Sequence, residues 1–117
     1  MPMPLDPASA LAAISDQGLE ALRSAAAYAT GPVPGLLAYL EHAAGWEVDR
    51  RRGTHYPLQG PAAAIDETEL DGSLAALTLL AQRFRMDGVK DNDAVADFLT
   101  VTADVLHAEF ERPNSFQ

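Results

Sequence analysis

The chain has 117 residues, the length of one domain and enough to bury a core without staples. It contains no cysteine, which excludes disulfides, thiolate zinc sites and cysteine nucleophiles. Its formal charge of -9, from 17 acidic against 8 basic residues, disfavours non-specific binding to nucleic acid or anionic lipid and favours cationic partners.

Residues 1–5, with two prolines, read as a loose lead-in. Asp6 is placed to cap a helix and Pro7 to occupy its first position, where a missing amide costs nothing. Leu11 and Ile14 mark a buried side. Ser15, Asp16 and Gly18 form a break or a fresh cap, and Leu19, Leu22, Ala25, Ala26 and Ala29 resume the helical spacing. One kinked helix over 6–29 and two short ones both satisfy the pattern. Thr30-Gly31-Pro32-Val33-Pro34 stops it, because proline cannot continue a helix that glycine has ended.

The next helix is expected from about Pro34 to about Arg52. Val33, Leu36, Leu37, Leu40, Ala44 and Val48 form its inner stripe, with Tyr39, Ala43 and Trp46 on one flank. Arg50, Arg51 and Arg52 close it with charges that complement the helix dipole, and Glu47 stands one turn before Arg51 to pair with it. Residues 53–65 then read as a surface loop, rich in glycine and proline and carrying His55 and Tyr56.

Ile65 to Met86 is the strongest helical signal. Asp66 is suited to cap, Glu69 stands where it can reach back to complete a capping box, and Ile65 and Leu70 bracket the pair as a staple. Leu70, Leu74, Leu77, Ala81 and Phe84 follow at three- and four-residue steps, with Leu79 and Leu80 widening the apolar face, so this helix is expected at the centre of the domain. The short connection 86–91 forces the last helix to return antiparallel. Asn92 or Asp93 would cap it, and Val95, Phe98, Leu99, Thr102, Val105, Leu106 and Phe110 form its inner face. Pro113 ends it, leaving a frayed tail at 113–117. With no alternating strand pattern, the fold class is all-α: a four- or five-helix bundle in a single domain whose last two helices are an antiparallel hairpin.

No catalytic or cofactor motif accompanies this pattern. Asp104 and His107 are one carboxylate–imidazole pair where a carboxylate-bridged diiron site needs two pairs and further glutamates. Residues 87–98 fail the calcium-loop spacing, with glycine misplaced and Phe98 at the twelfth position. His55 beside Thr54 and Tyr56 has no glycine elbow to expose a nucleophile, and no phosphate-binding glycine loop occurs. As a helix-turn-helix the final hairpin would present Asp93, Asp97 and Asp104 where DNA contacts need Arg, Lys, Asn or Gln. The expectation is no enzyme activity, no cofactor, no metal and no nucleic-acid partner.

The start of the chain has no basic residue ahead of an apolar run, and no run reaches the length of a bilayer span, so no membrane partner and a cytoplasmic location are expected. Seven arginines (23, 50, 51, 52, 83, 85 and 112) against Lys90, with abundant alanine, resemble the usage of a high-GC bacterial genome. Residues 1–60 hold six acids and four bases, and 61–117 hold eleven and four, so the halves carry -2 and -7. The sequence therefore points first to a non-enzymatic domain that binds a basic protein through Asp66, Glu67, Glu69 and Asp71, joined by Asp91, Asp93 and Asp97. A bacterial immunity protein or a small adaptor would have these properties, with opposite charge steering the encounter. The alternative is a bundle that binds a small anionic ligand, with Tyr39, Trp46 and Phe84 lining a pocket, Arg50, Arg51 and Arg52 attracting the anion, and His55 or Tyr56 orienting it. Under either reading the broad apolar face of the 65–86 helix could complete a homodimer.

Overall fold

Five α-helices and two 3₁₀ turns account for the regular structure of the described residues, with no strand among them. In chain order they are α1 (Pro7–Ala12), α2 (Asp16–Ala29), α3 (Pro34–Arg51), a 3₁₀ turn at Pro61–Ala63, another at Glu67–Glu69, α4 (Leu70–Met86) and α5 (Lys90–Glu111). The structure, a computed structural model, describes residues 6–29, 33–54, 56–86 and 90–111. The expected lead-in at 1–5, the stop at 30–32, the connection at 87–89 and the tail at 113–117 lie outside these residues.

Residues 6–29 form two helices because Ser15 supplies a new cap: its hydroxyl accepts from the Gly18 amide at 3.0 Å. Asp6 holds the cap position of α1 in extended backbone but makes no side-chain cap bond, leaving Pro7 as the start signal. The end of α3 is a Schellman turn, in which the Gly53 amide donates to the Arg50 carbonyl and the Thr54 amide to the Asp49 carbonyl. Gly53 takes a φ of 100°, a left-handed conformation that a side chain would oppose.

Asp66 caps as expected, accepting from the amides of Thr68 and Glu69 at 2.9 and 3.2 Å, although the first turn is 3₁₀. The capping box does not close. Glu69 instead accepts from the Gly35 amide at 3.3 Å, 34 residues away, so its carboxylate caps α3. At the start of α5, Asn92 and Asp93 lie inside the first turn rather than at the cap, because the helix begins at Lys90.

The centre of the bundle is α5, not α4. It packs closely along α4 and also against α1, α2 and the Pro61–Ala63 turn. Val95, Ala96, Phe98, Leu99, Val101, Thr102 and Leu106 are all buried, which leaves Asp93, Asp97 and Asp104 on one narrow stripe and Glu109 on another side, against the Pro61–Ala63 turn. A helix polar over so little of its circumference is enclosed by neighbours. By contrast α4 buries Ser73, Leu77, Leu80, Ala81 and Phe84 while Leu79 is 61 % exposed, so its leucines do not all serve the core. On α3 the core face lies toward the expected flank: Leu36, Tyr39, Leu40, Ala43, Ala44 and Trp46 are buried, whereas Leu37 and Val48 are half-buried. Arg85 near the end of α4 bonds Asp97 near the start of α5 at 3.2 Å, which sets the antiparallel register of the hairpin. The radius of gyration is 13.7 Å, close to the roughly 13 Å of a packed domain this long. Among the described residues no helix is long and apolar enough to cross a membrane.

Candidate functional site

The acidic residues separate into those the fold uses and those it leaves to solvent. Asp66 is a cap, and the Thr68 hydroxyl and the amides of Thr68 and Glu69 hold its carboxyl below the usual range. Glu69 caps α3, and Asp97 pairs with Arg85. Glu109 accepts from the Ala62 amide at 3.0 Å and so ties the Pro61–Ala63 turn to α5. Glu67, Asp71 and Asp93 are exposed, and their carboxylates make no hydrogen bond or ion pair among the described residues. The side chain of Asp91 lies outside the description.

The two expected halves of the acidic face do not form one patch. The hairpin is antiparallel, so Asp71 and Asp93 stand at opposite ends of it, roughly 20 Å apart by the rise of an α-helix. At the Asp93 end Arg83 and Arg85 close α4, and Arg85 neutralises Asp97. Among the described residues no arginine or lysine of α4 or α5 stands at the other end. Asp104 lies midway along the seam in one groove with Arg85, while the hairpin register sets Glu67 and Asp71 toward the C-terminal end of α5, where Glu109 is exposed. That end concentrates negative charge on neighbouring elements.

The basic cluster has a different character, because its centre is a carboxylate. Glu47 is fully buried. Its Oε1 accepts from Arg50 Nε at 2.8 Å, and its Oε2 accepts from Arg50 Nη2 at 2.7 Å and from Arg51 Nε at 2.6 Å. Burial alone would raise the Glu47 carboxyl, but hydrogen bonds and charge from the two guanidinium groups outweigh it and hold the group below the usual range. Arg51 continues outward, donating to Asp16 at 2.9 Å and to the carbonyls of Leu11 (3.2 Å) and Ile14. It thereby satisfies the free end of α1 and joins α1, α2 and α3. Arg50 and Arg51 are thus engaged in the fold.

Of the residues expected to line an anion pocket, Tyr39, Trp46 and Phe84 are core residues. Burial pushes the Tyr39 phenol far up, with the Thr102 hydroxyl opposing and the charge of Glu109 reinforcing, so Tyr39 stays neutral. The Trp46 indole donates to the Tyr56 carbonyl at 2.5 Å, and the Tyr56 hydroxyl donates to Asp49 at 2.9 Å, a bond that raises its phenol. Tyr56 is therefore strapped to α3 at both ends. His55 lies outside the described residues.

A cleft of about 380 Å³ opens between α2 and α3. Arg23, Arg51 and Arg52 stand around it with Asp16 and Glu20, and Leu19 and Val48 form its apolar wall. Arg51 and Arg52 are two of the residues expected for an anion. Arg23 was not, because its place depends on how α2 crosses α3, which no local pattern encodes. Among the described residues no three histidine or acidic side chains converge as metal ligands would. No family model matches the chain, and no curated protein or solved structure matches it.

Proposed function

We propose that this chain is a non-enzymatic binding domain that docks a basic protein through the acidic end of the α4–α5 hairpin. The observation that carries this reading is the division of the acids. Glu67 and Asp71 are exposed and committed to no internal partner, and they stand at the end of the hairpin farthest from Arg83 and Arg85. Unpaired surface charge of one sign supplies long-range attraction and selects a partner of the opposite sign. An immunity-type or adaptor role in a bacterial cytoplasm fits these properties. The test is affinity capture from the native organism's lysate with wild-type and Glu67→Lys/Asp71→Lys bait. Loss of a specific basic protein with the folded variant supports the reading, and unchanged retention removes this surface from it.

The cleft between α2 and α3 supports a second reading, a site for a small anionic ligand with an apolar portion. Arg51 there is held by Glu47 and Asp16, but Arg23 and Arg52 stand around the cleft with no ion pair among the described residues, although the chain is strongly acidic elsewhere. A thermal-shift screen of anionic metabolites, repeated on Arg23→Ala/Arg52→Ala, tests it. A flat screen sets it aside.

A further inference from the structure

The guanidinium of Arg51 is held from behind. Its Nε donates to the buried Glu47 and its Nη2 to the carbonyls of Leu11 and Ile14, so these donors are spent on the fold. Nη1 is the remaining corner, at the cleft between α2 and α3, where it donates to Asp16 Oδ1 at 2.9 Å. An arginine fixed by a buried carboxylate is pre-organised, because it meets an anion without first losing side-chain freedom. The group it meets is held far less firmly. The Asp16 side chain is 93 % exposed, and Asp16 is the first residue of α2, where the helix dipole and water stabilise a carboxylate whether or not it touches Arg51. So exposed a carboxylate is readily exchanged for another.

The surroundings suit such an exchange. Arg23 of α2 and Arg52 at the end of α3 border the same cleft and make no ion pair among the described residues. Leu19 and Val48 give it an apolar wall. Glu20 stands at the same rim and repels a second negative charge on a ligand, which disfavours a dianion such as phosphate. Taking the cleft as the anion site proposed above, we infer that Asp16 is a stand-in for the ligand's own charged group. A monocarboxylate with an apolar chain displaces Asp16 from Arg51, gains Arg23 and Arg52 as further partners, and lays its chain on Leu19 and Val48. Glu47, Leu11 and Ile14 keep their bonds to Arg51, so the exchange leaves α1 joined to α3.

Octanoate is the probe, with octylamine and inorganic phosphate as controls, and amide NMR spectra recorded during titration give both the site and the Kd. Octanoate should shift amides in the first turns of α2 and the last turns of α3. Asp16→Ala and Asp16→Asn, at an exposed position, should each lower its Kd by about three- to tenfold by removing the competitor. Arg23→Ala/Arg52→Ala should raise it by about tenfold, and octylamine and phosphate should leave the cleft unshifted. Shifts that appear only in the Asp16 variants show the same competition in stronger form. Octanoate bound at the cleft with one Kd in wild type and both Asp16 variants overturns the exchange and leaves the cleft as an anion site. No shift at the cleft in any of the three proteins overturns both. Phosphate that binds there as tightly as octanoate, and is likewise tightened by Asp16→Ala, overturns the assignment of a monocarboxylate.

Discussion

Arg51 Nε lies 2.6 Å from the Oε2 of Glu47, a carboxylate with no exposure to solvent, and the same guanidinium reaches the carbonyls of Leu11 in α1 and of Ile14 just beyond it. One buried acid and one arginine thus hold three helices in register. Breaking such a pair from one side leaves a buried charge poorly compensated. Arg51→Ala is expected to cost about 2–3 kcal/mol, while Arg52→Ala, next to it on exposed surface, should stay within about 0.5 kcal/mol. Urea unfolding of both variants checks the contrast, and equal effects would contradict it.

The same clamp sets a pH response. Folding depresses the Glu47 carboxyl below its ordinary value of 4.5, so its contribution is fully present above that value and is lost as pH falls through the lower folded value. Stability measured from about pH 6 to about pH 3 should fall more gently in Glu47→Gln than in wild type, with Gln itself destabilising at neutral pH by about 2 kcal/mol. Parallel curves would show that other acids carry the acid sensitivity.

Gly35 marks a close approach of α3 to the segment leading into α4. A methyl group built there would meet the Ala64 carbonyl and come within 2.5 Å of the Glu69 carboxylate that caps α3. Gly35→Ala should therefore cost about 1–3 kcal/mol despite its better helix propensity. A variant as stable as wild type would show that these elements separate freely.

The two sides of α4 should respond oppositely to truncation. Leu77 is fully buried and Leu77→Ala is expected to cost about 3 kcal/mol, whereas Leu79→Ala should change monomer stability by less than about 0.5 kcal/mol. Urea denaturation of the two variants distinguishes them.

Most of the secondary structure was legible in local signals. Pro7, Pro34, Asp66 and the Arg52–Gly53 stop each mark a boundary within a residue or two, because caps, prolines and left-handed glycines act on their nearest neighbours. Tertiary roles were less legible. The capping-box pattern at Asp66 and Glu69 concealed that Glu69 serves a helix 34 residues away. The run of leucines on α4 suggested a central helix, but burial around most of α5 is betrayed only by how narrow its charged stripe is. At the candidate site the Glu47–Arg51 spacing was readable, while the burial of Glu47, the place of Arg23 at the cleft and the separation of the two acidic clusters all depend on helix packing.

The most direct test of the docking reading is capture from the native lysate on immobilised wild-type chain at low and high salt, with mass spectrometry of what is retained. A specific basic protein, held at low salt, weakened at high salt and lost with Glu67→Lys/Asp71→Lys, is the expected result. Retention of no protein beyond background, or of one indifferent to salt and to both substitutions, would contradict it.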